Sequence, residues 1–141
     1  MENKPLMLTI KQTYKEWSNY MRKLALEAGI PDTYRMIIMF LARNPGASQK
    51  EIAEHCQKTY ASISQTVKAM LQAGYITKEI NIADQRYAQL YLTEKGQSGV
   101  NRIKNKIHEA DRIITSVITP EKERDMIDLL DKLNETIRKE L

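Results

Sequence analysis

Asp84 and Arg86 sit two residues apart near the tip of the stretch GYITKEINIADQRYAQLYLTEKG, which runs from Gly74 to Gly96. A guanidinium on a projecting polar loop suits contact with phosphate oxygens or with a narrow minor groove. A solvated loop with an ordinary surface salt bridge is the plainer reading of the same two residues. Upstream, Tyr60, Ala61, Ser62, Ser64, Gln65, Thr66 and Lys68 form a second polar group. Gln65 can pair bidentately with adenine, the Ser64 hydroxyl can meet several base edges, and the Ala61 methyl can touch a thymine methyl. These seven residues are mostly neutral. About three of them are expected to meet bases, at a site rich in A·T pairs.

Other chemistry is thin. Catalysis needs a nucleophile with a base, paired carboxylates or a metal cluster, and no such constellation stands out. His55 and Cys56 are neighbours in sequence, and adjacent helical positions do not face each other. The pair reads as a partly buried structural thiol beside a surface histidine, with a redox or metal centre as the sharper alternative. His108 lies near Glu109 and Asp111, but no His or Cys recurs at i+4. No catalytic residue, cofactor or metal ligand is therefore expected.

The elements that must carry the polar groups are punctuated clearly. Ser48-Gln49-Lys50-Glu51 is a capping box that should open a short helix, with Ile52 and Ala53 facing inward, fading near Gln57. Thr59 can cap a second helix whose apolar positions are Ile63, Val67, Met70 and Leu71. Gly74 ends it as a residue able to take positive φ. Tyr75, Ile76, Ile80 and Ile82 then form one strand-like run, and Tyr87, Leu90, Tyr91, Leu92 and Thr93 another. The tip between them, Asn81 to Arg86, is longer than a two-residue turn and has no glycine, so it reads as an extended finger. Short helix, turn, longer helix and hairpin in that order are a helix-turn-helix with a wing. Ahead of them, Asp32 to Arg43 reads as a mostly buried helix capped by Asp32 and stopped by Arg43-Asn44-Pro45-Gly46.

Composition agrees without deciding the matter. The chain has 141 residues, a net charge of +4 and one cysteine. Residues 1–43 carry seven Lys/Arg against four Asp/Glu, residues 44–98 six against five, and residues 99–141 nine against nine. The expected reading head is thus not especially basic, and any affinity for DNA depends on where Lys68, Lys78, Arg86 and Lys95 point. The single cysteine rules out an internal disulfide framework, no apolar run has the length of a membrane span, and the N-terminus lacks the apolar core of a signal peptide. A cytoplasmic protein is expected.

The flanking segments carry another message. Met7, Ile10, Tyr14, Trp17, Met21, Leu24 and Ala28 recur at alternating steps of three and four before Gly29 and Pro31 end the pattern. Val100, Ile103, Ile107, Ala110, Ile114 and Val117 repeat it, and Met126, Leu130, Leu133 and Ile137 follow in a helix opened by Thr119-Pro120. A compact winged head cannot cover three such seams. A dimer of interlocked helices answers this economically, with an intramolecular bundle as the alternative. Tyr14, Trp17, Met21, Tyr34 and Met39 can also be read as a ligand pocket between head and bundle, or simply as core.

The wing Asp84-Gln85-Arg86 and the run Leu90-Tyr91-Leu92-Thr93-Glu94-Lys95-Gly96 follow a D-x-R … L-x-L-T-x-K-G pattern. With the capped helix at Ser48 and the Gly74-Tyr75-Ile76 ending, the chain resembles the MarR-type (multiple antibiotic resistance regulator) winged-helix transcription factors over nearly its whole length. The resemblance implies a mainly α fold with a small β-wing, an obligate homodimer, two DNA-reading heads and, commonly, a small-molecule or oxidant input. It implies a single domain spanning 1–141, with dimerisation helices in 1–30 and 97–141 and a winged head in 31–96. The combined expectation is a homodimeric repressor of double-stranded DNA with an inverted-repeat operator. It would read through Ser48, Tyr60, Ala61, Ser62, Ser64, Gln65, Lys68, Asp84 and Arg86 and be released by a small aromatic ligand. A winged-helix module that binds protein and not DNA is the alternative. The reading helix departs from many relatives in lacking an Arg or several Lys.

Overall fold

The computed structural model describes residues 3–80 and 88–141. Asp84 and Arg86 lie outside the described residues. The element order is α1 (Leu6–Glu27), α2 (Asp32–Arg43), α3 (Gln49–Cys56), α4 (Tyr60–Ala73), β1 (Ile76–Ile80), β2 (Ala88–Leu92), α5 (Glu94–Val117) and α6 (Pro120–Lys139). The fold is mainly α with one small antiparallel sheet. It divides into two compact units, residues 1–106 and 107–141.

Local chemistry explains most of the boundaries in the first unit. The Ser48 hydroxyl accepts from the Glu51 N–H at 3.2 Å, and the Glu51 carboxylate accepts from the Ser48 N–H at 3.4 Å. Both halves of the capping box are therefore made. Thr59 caps α4 by accepting from the Ser62 N–H at 3.1 Å. Asp32 behaves differently from the expectation. Pro31 occupies the cap position, with no side-chain cap bond, and Asp32 is the first helical residue. Its carboxylate instead accepts from Arg35 Nε at 2.8 Å, and Arg22 of α1 approaches it at 3.9 Å. The Pro31 carbonyl already takes the Tyr34 and Arg35 N–H groups, so the first turn closes without a cap side chain.

Buried side chains from several elements make the core of this unit. Ile37, Ile38 and Leu41 of α2 are buried, as are Ile52 of α3, Val67 and Met70 of α4, Ile76 and Leu90 of the hairpin, and Val100 and Ile103 of α5. α2 packs on α1, α3, α4 and β2, so it is the element around which the head is assembled. Its half-buried Met36, Met39 and Phe40 match an element apolar over much of its circumference.

The hairpin pairs Ile76 with Leu92 and Ile80 with Ala88. Gly46 N–H donates to the Leu90 carbonyl and Leu90 N–H to the Ala47 carbonyl, which stitches β2 to the entry of α3. Only Ile76 of β1 is buried, and the four residues after it are exposed. Beyond Ile76, β1 is exposed, whereas β2 stays anchored through the buried Leu90.

The second unit holds the end of α5 and all of α6. Thr119 caps α6 through the Lys122 N–H, Pro120 occupies the first turn, and Glu121 and Glu123 lie where the helix dipole favours acid. No residue of α6 is buried. Its stripe is largely open, with Met126 at 48% exposure. In the first unit, α1 repeats this over its N-terminal half. Leu6, Met7, Leu8 and Tyr14 are exposed, whereas Met21, Leu24 and Ala25 are buried.

Gln57 ends α3 with φ +53°, the left-handed region. A side chain there costs about 1–2 kcal/mol that glycine avoids. Gln57→Gly should therefore hold or raise stability, within about 1 kcal/mol, while Gln57→Val should lower it by about 1–2 kcal/mol. Urea unfolding midpoints of the three proteins check this ordering.

Candidate nucleic-acid interface

α4 is held on one side and open on the other. Ile63, Val67 and Met70 are buried. At 3.6 residues per turn the opposite side carries Ala61, Gln65, Lys68 and Gln72, and all four are exposed. Tyr60 and Ser62, also exposed, flank this line, and Ser64 is half-buried beside it. The Thr66 hydroxyl bonds back to the Ser62 carbonyl at 3.2 Å and so is partly committed within the helix. Gln72 was not among the sequence-derived candidates. Its i+11 spacing from Ala61 is the signal that finds it.

Ser48 is held differently. Its Oγ lies 3.2 Å from both the Glu51 N–H and the Glu51 carboxylate, so the hydroxyl is spent on the cap of α3. Among the candidate cations, Lys68 and Lys78 are exposed. Lys95 is engaged within the fold, its Nζ donating to the Ala73 carbonyl at 2.7 Å.

The surface offered by α4 is therefore a short row of amide, methyl and ammonium groups on a helix packed firmly from behind. Such a row has the donors, acceptors and apolar contacts that base edges in a major groove require.

Residues 28–86, the segment holding α2 to the wing, match the sequence profile of the MarR family. Over that segment the chain is similar to the MarR family. The chain is 29% identical over 99 residues to the HTH-type transcriptional regulator BilQ of Clostridium symbiosum (strain WAL-14163), covering 70% of this chain and 69% of that protein. It is 25% identical over 127 residues to the homoprotocatechuate degradative operon repressor of Escherichia coli, covering 90% of this chain and 86% of the repressor. Its fold matches that of Staphylococcus aureus MarR, solved with salicylate and kanamycin, with a TM-score of 0.84 at 18% identity over 96% of this chain and 91% of that one. The first two relatives are named as a transcriptional regulator and an operon repressor.

The remaining candidates are dispersed. Trp17 lies against Tyr20, ring centroids 6.1 Å apart, and Tyr34 meets Tyr75 edge-on at 5.5 Å. Tyr14 is 73% exposed, and Met21 is buried. Two grooves are described on the first unit. One includes Tyr14, and neither includes Trp17, Met21, Tyr34 or Met39. His55 stacks on Phe40 at 4.4 Å. His108 Nδ1 lies 3.8 Å from an Asp111 carboxylate oxygen on an exposed surface. Among the described residues no group of three or more His, Cys, Asp or Glu is placed to hold a metal ion. No described helix is long and apolar enough to cross a membrane.

Cys56 is buried in the last turn of α3. Burial pushes its thiol pKa up, and the Lys58 and Arg35 charges offset that only in part. As pH rises, the unfolded chain loses the proton first. The stabilisation is therefore complete below the ordinary thiol pKa and is lost as pH climbs through the folded value. Cys56→Ala should remove this alkaline component from a plot of stability against pH. In the parent protein a thiol reagent at about pH 8 should label Cys56 only as fast as the structure opens.

Proposed function

We propose that this MarR-family chain is a homodimeric, sequence-specific DNA-binding repressor acting in the cytoplasm. α4 enters the major groove of an inverted-repeat operator, and Arg86 of the wing enters the adjacent minor groove. The observation that carries the reading is the exposed Ala61–Gln65–Lys68 line on a helix anchored by three buried side chains. The names of the relatives, a transcriptional regulator and an operon repressor, support the same class. The dimer is supported by apolar side chains left open on two helices, Leu6, Met7 and Leu8 on α1 and Met126, Ile127 and Leu130 on α6. Uncovered apolar surface of this kind is what permanent dimers bury.

At micromolar concentration, sedimentation should give about twice the 16.4 kDa chain mass. Selection from random duplexes should return inverted repeats with half-site centres about 10 bp apart. Arg86→Ala should weaken binding to many sequences and reduce the salt slope by about one. Gln65→Ala should relax preference at one position per half-site by about 1–3 kcal/mol. A stable folded monomer, or a selection that enriches no duplex, would defeat the reading. The second outcome would leave the protein-binding module in its place.

A small aromatic acid is the proposed effector. A groove of about 660 Å³ at the end of α1 and the start of α2 brings Arg22 and Lys23 together with Leu26, Ile30 and Pro31. Asp32 also lines the groove, and Arg22 and Lys23 face Asp32 and Glu27 at 3.9 and 3.8 Å, so a carboxylate on an aromatic ring would take the place of those partners over the apolar residues. The salicylate present in the S. aureus MarR structure supports this class. Trp17 is the only tryptophan and lies about 7.5 Å along the helix axis from Arg22, so it can report occupancy. Titrating a benzoate-type acid should change Trp17 fluorescence and weaken DNA binding about 5–150-fold. Arg22→Ala should abolish both. A fluorescence change with unaltered DNA affinity would mean that the ligand binds both states equally and is no effector.

A further inference from the structure

Three successive carbonyls where α4 ends are each taken up by a group at the start of α5. The Ala73 carbonyl accepts from Lys95 Nζ at 2.7 Å. The Gly74 carbonyl accepts from the Thr93 hydroxyl at 2.6 Å. The Tyr75 carbonyl accepts from the Thr93 N–H at 3.1 Å. The same Thr93 hydroxyl accepts from the Gly96 N–H at 3.1 Å, so it caps α5 while it holds α4. Gly96 makes the approach possible, because a Cβ there would lie 2.2 Å from the Tyr75 carbonyl oxygen. Lys95 also lies over the Tyr75 ring, 4.5 Å from its centroid.

We propose that Lys95 is a positioning residue that sets the pose of the reading helix, and that it does not hold a DNA phosphate. Its ammonium sits where the negative end of the α4 dipole favours a cation and where the Tyr75 ring adds a cation–π contact. Reaching a phosphate would require it to leave both. Tyr75 is itself braced by Tyr34 of α2. The end of α4 is thus clamped between α5 and α2, while its outward row stays free for DNA. The inference rests on the DNA-reading proposal above, and its test separates the two.

Lys95→Met keeps the stem and removes the charge. It should weaken operator binding about three- to tenfold, the worth of one helix-end cation or cation–π contact. The salt slope should stay that of the parent, since no phosphate contact is lost. The loss should be larger on the selected operator than on random duplex, because a displaced α4 spoils base contacts. Without DNA, hydrogen exchange of the amides from Met70 to Gly74 should quicken in Lys95→Met and return to the parent rate in Lys95→Arg. Lys68→Ala is the control, and it should lower the salt slope by about one with exchange in α4 unchanged. A slope that falls by about one in Lys95→Met with unchanged exchange would overturn the proposal and make Lys95 a phosphate contact. A parent protein that selects no duplex defeats the DNA reading alone. Unchanged exchange in Lys95→Met would then still overturn the clamp.

Discussion

A helix that stops leaves its last carbonyls without partners, and satisfying them is unavoidable in a folded chain. In this protein the need falls where three elements meet. α4 ends at Ala73, β1 begins at Ile76, and α5 returns at Glu94. Gly74, at φ +79°, turns the chain out of the helix, and Tyr75 N–H reaches back to the Met70 carbonyl. Thr93, just before α5, and Lys95, in its first turn, donate to the Gly74 and Ala73 carbonyls. Because one set of bonds serves all three elements, the aim of α4, the root of the hairpin and the start of α5 cannot be adjusted independently.

That joint bears on how the sequence is to be read. Caps were legible because they are local. Ser48 with Glu51, Thr59 with Ser62 N–H, and Thr119 with Lys122 N–H all act within three residues. The starts of α3, α4 and α6 followed from these signals, and the positive φ at Gly74 from the glycine itself. Asp32 was misplaced because Pro31 closes the first turn with its own carbonyl, and that choice depends on Arg35 and Arg22 arriving beside the carboxylate. The Lys95 bond to the Ala73 carbonyl is not legible in the sequence, because charge is visible there and a distant carbonyl is not. The outward row on α4 was mostly legible from helical spacing, although Gln72 was missed at its far end.

The seams show where periodicity stops being informative. Residues spaced at three and four on α1 form one unbroken pattern in the sequence. In the fold only its C-terminal part, Met21 and Leu24, is buried in the first unit. A heptad pattern reports that a face must be covered, and it is silent on what covers it. α6 carries the same pattern with none of its residues buried. The division of α1 into a buried and an open half comes from where α2 ends up, and that is a tertiary outcome.

The hairpin has a further consequence for the life of the protein at high concentration. β1 is paired on one edge only among the described residues, while Ala47 guards the far edge of β2 at Leu90. An unpaired strand edge is a template on which a second chain can add, and long hydrophobic edges of this kind seed aggregates. Here the strand is five residues long, and its centre carries Thr77, Lys78 and Glu79 in the open. A stranger docking on that edge would have to strip water from two charges. The short, charged and exposed strand thus keeps neighbouring molecules from stacking onto it.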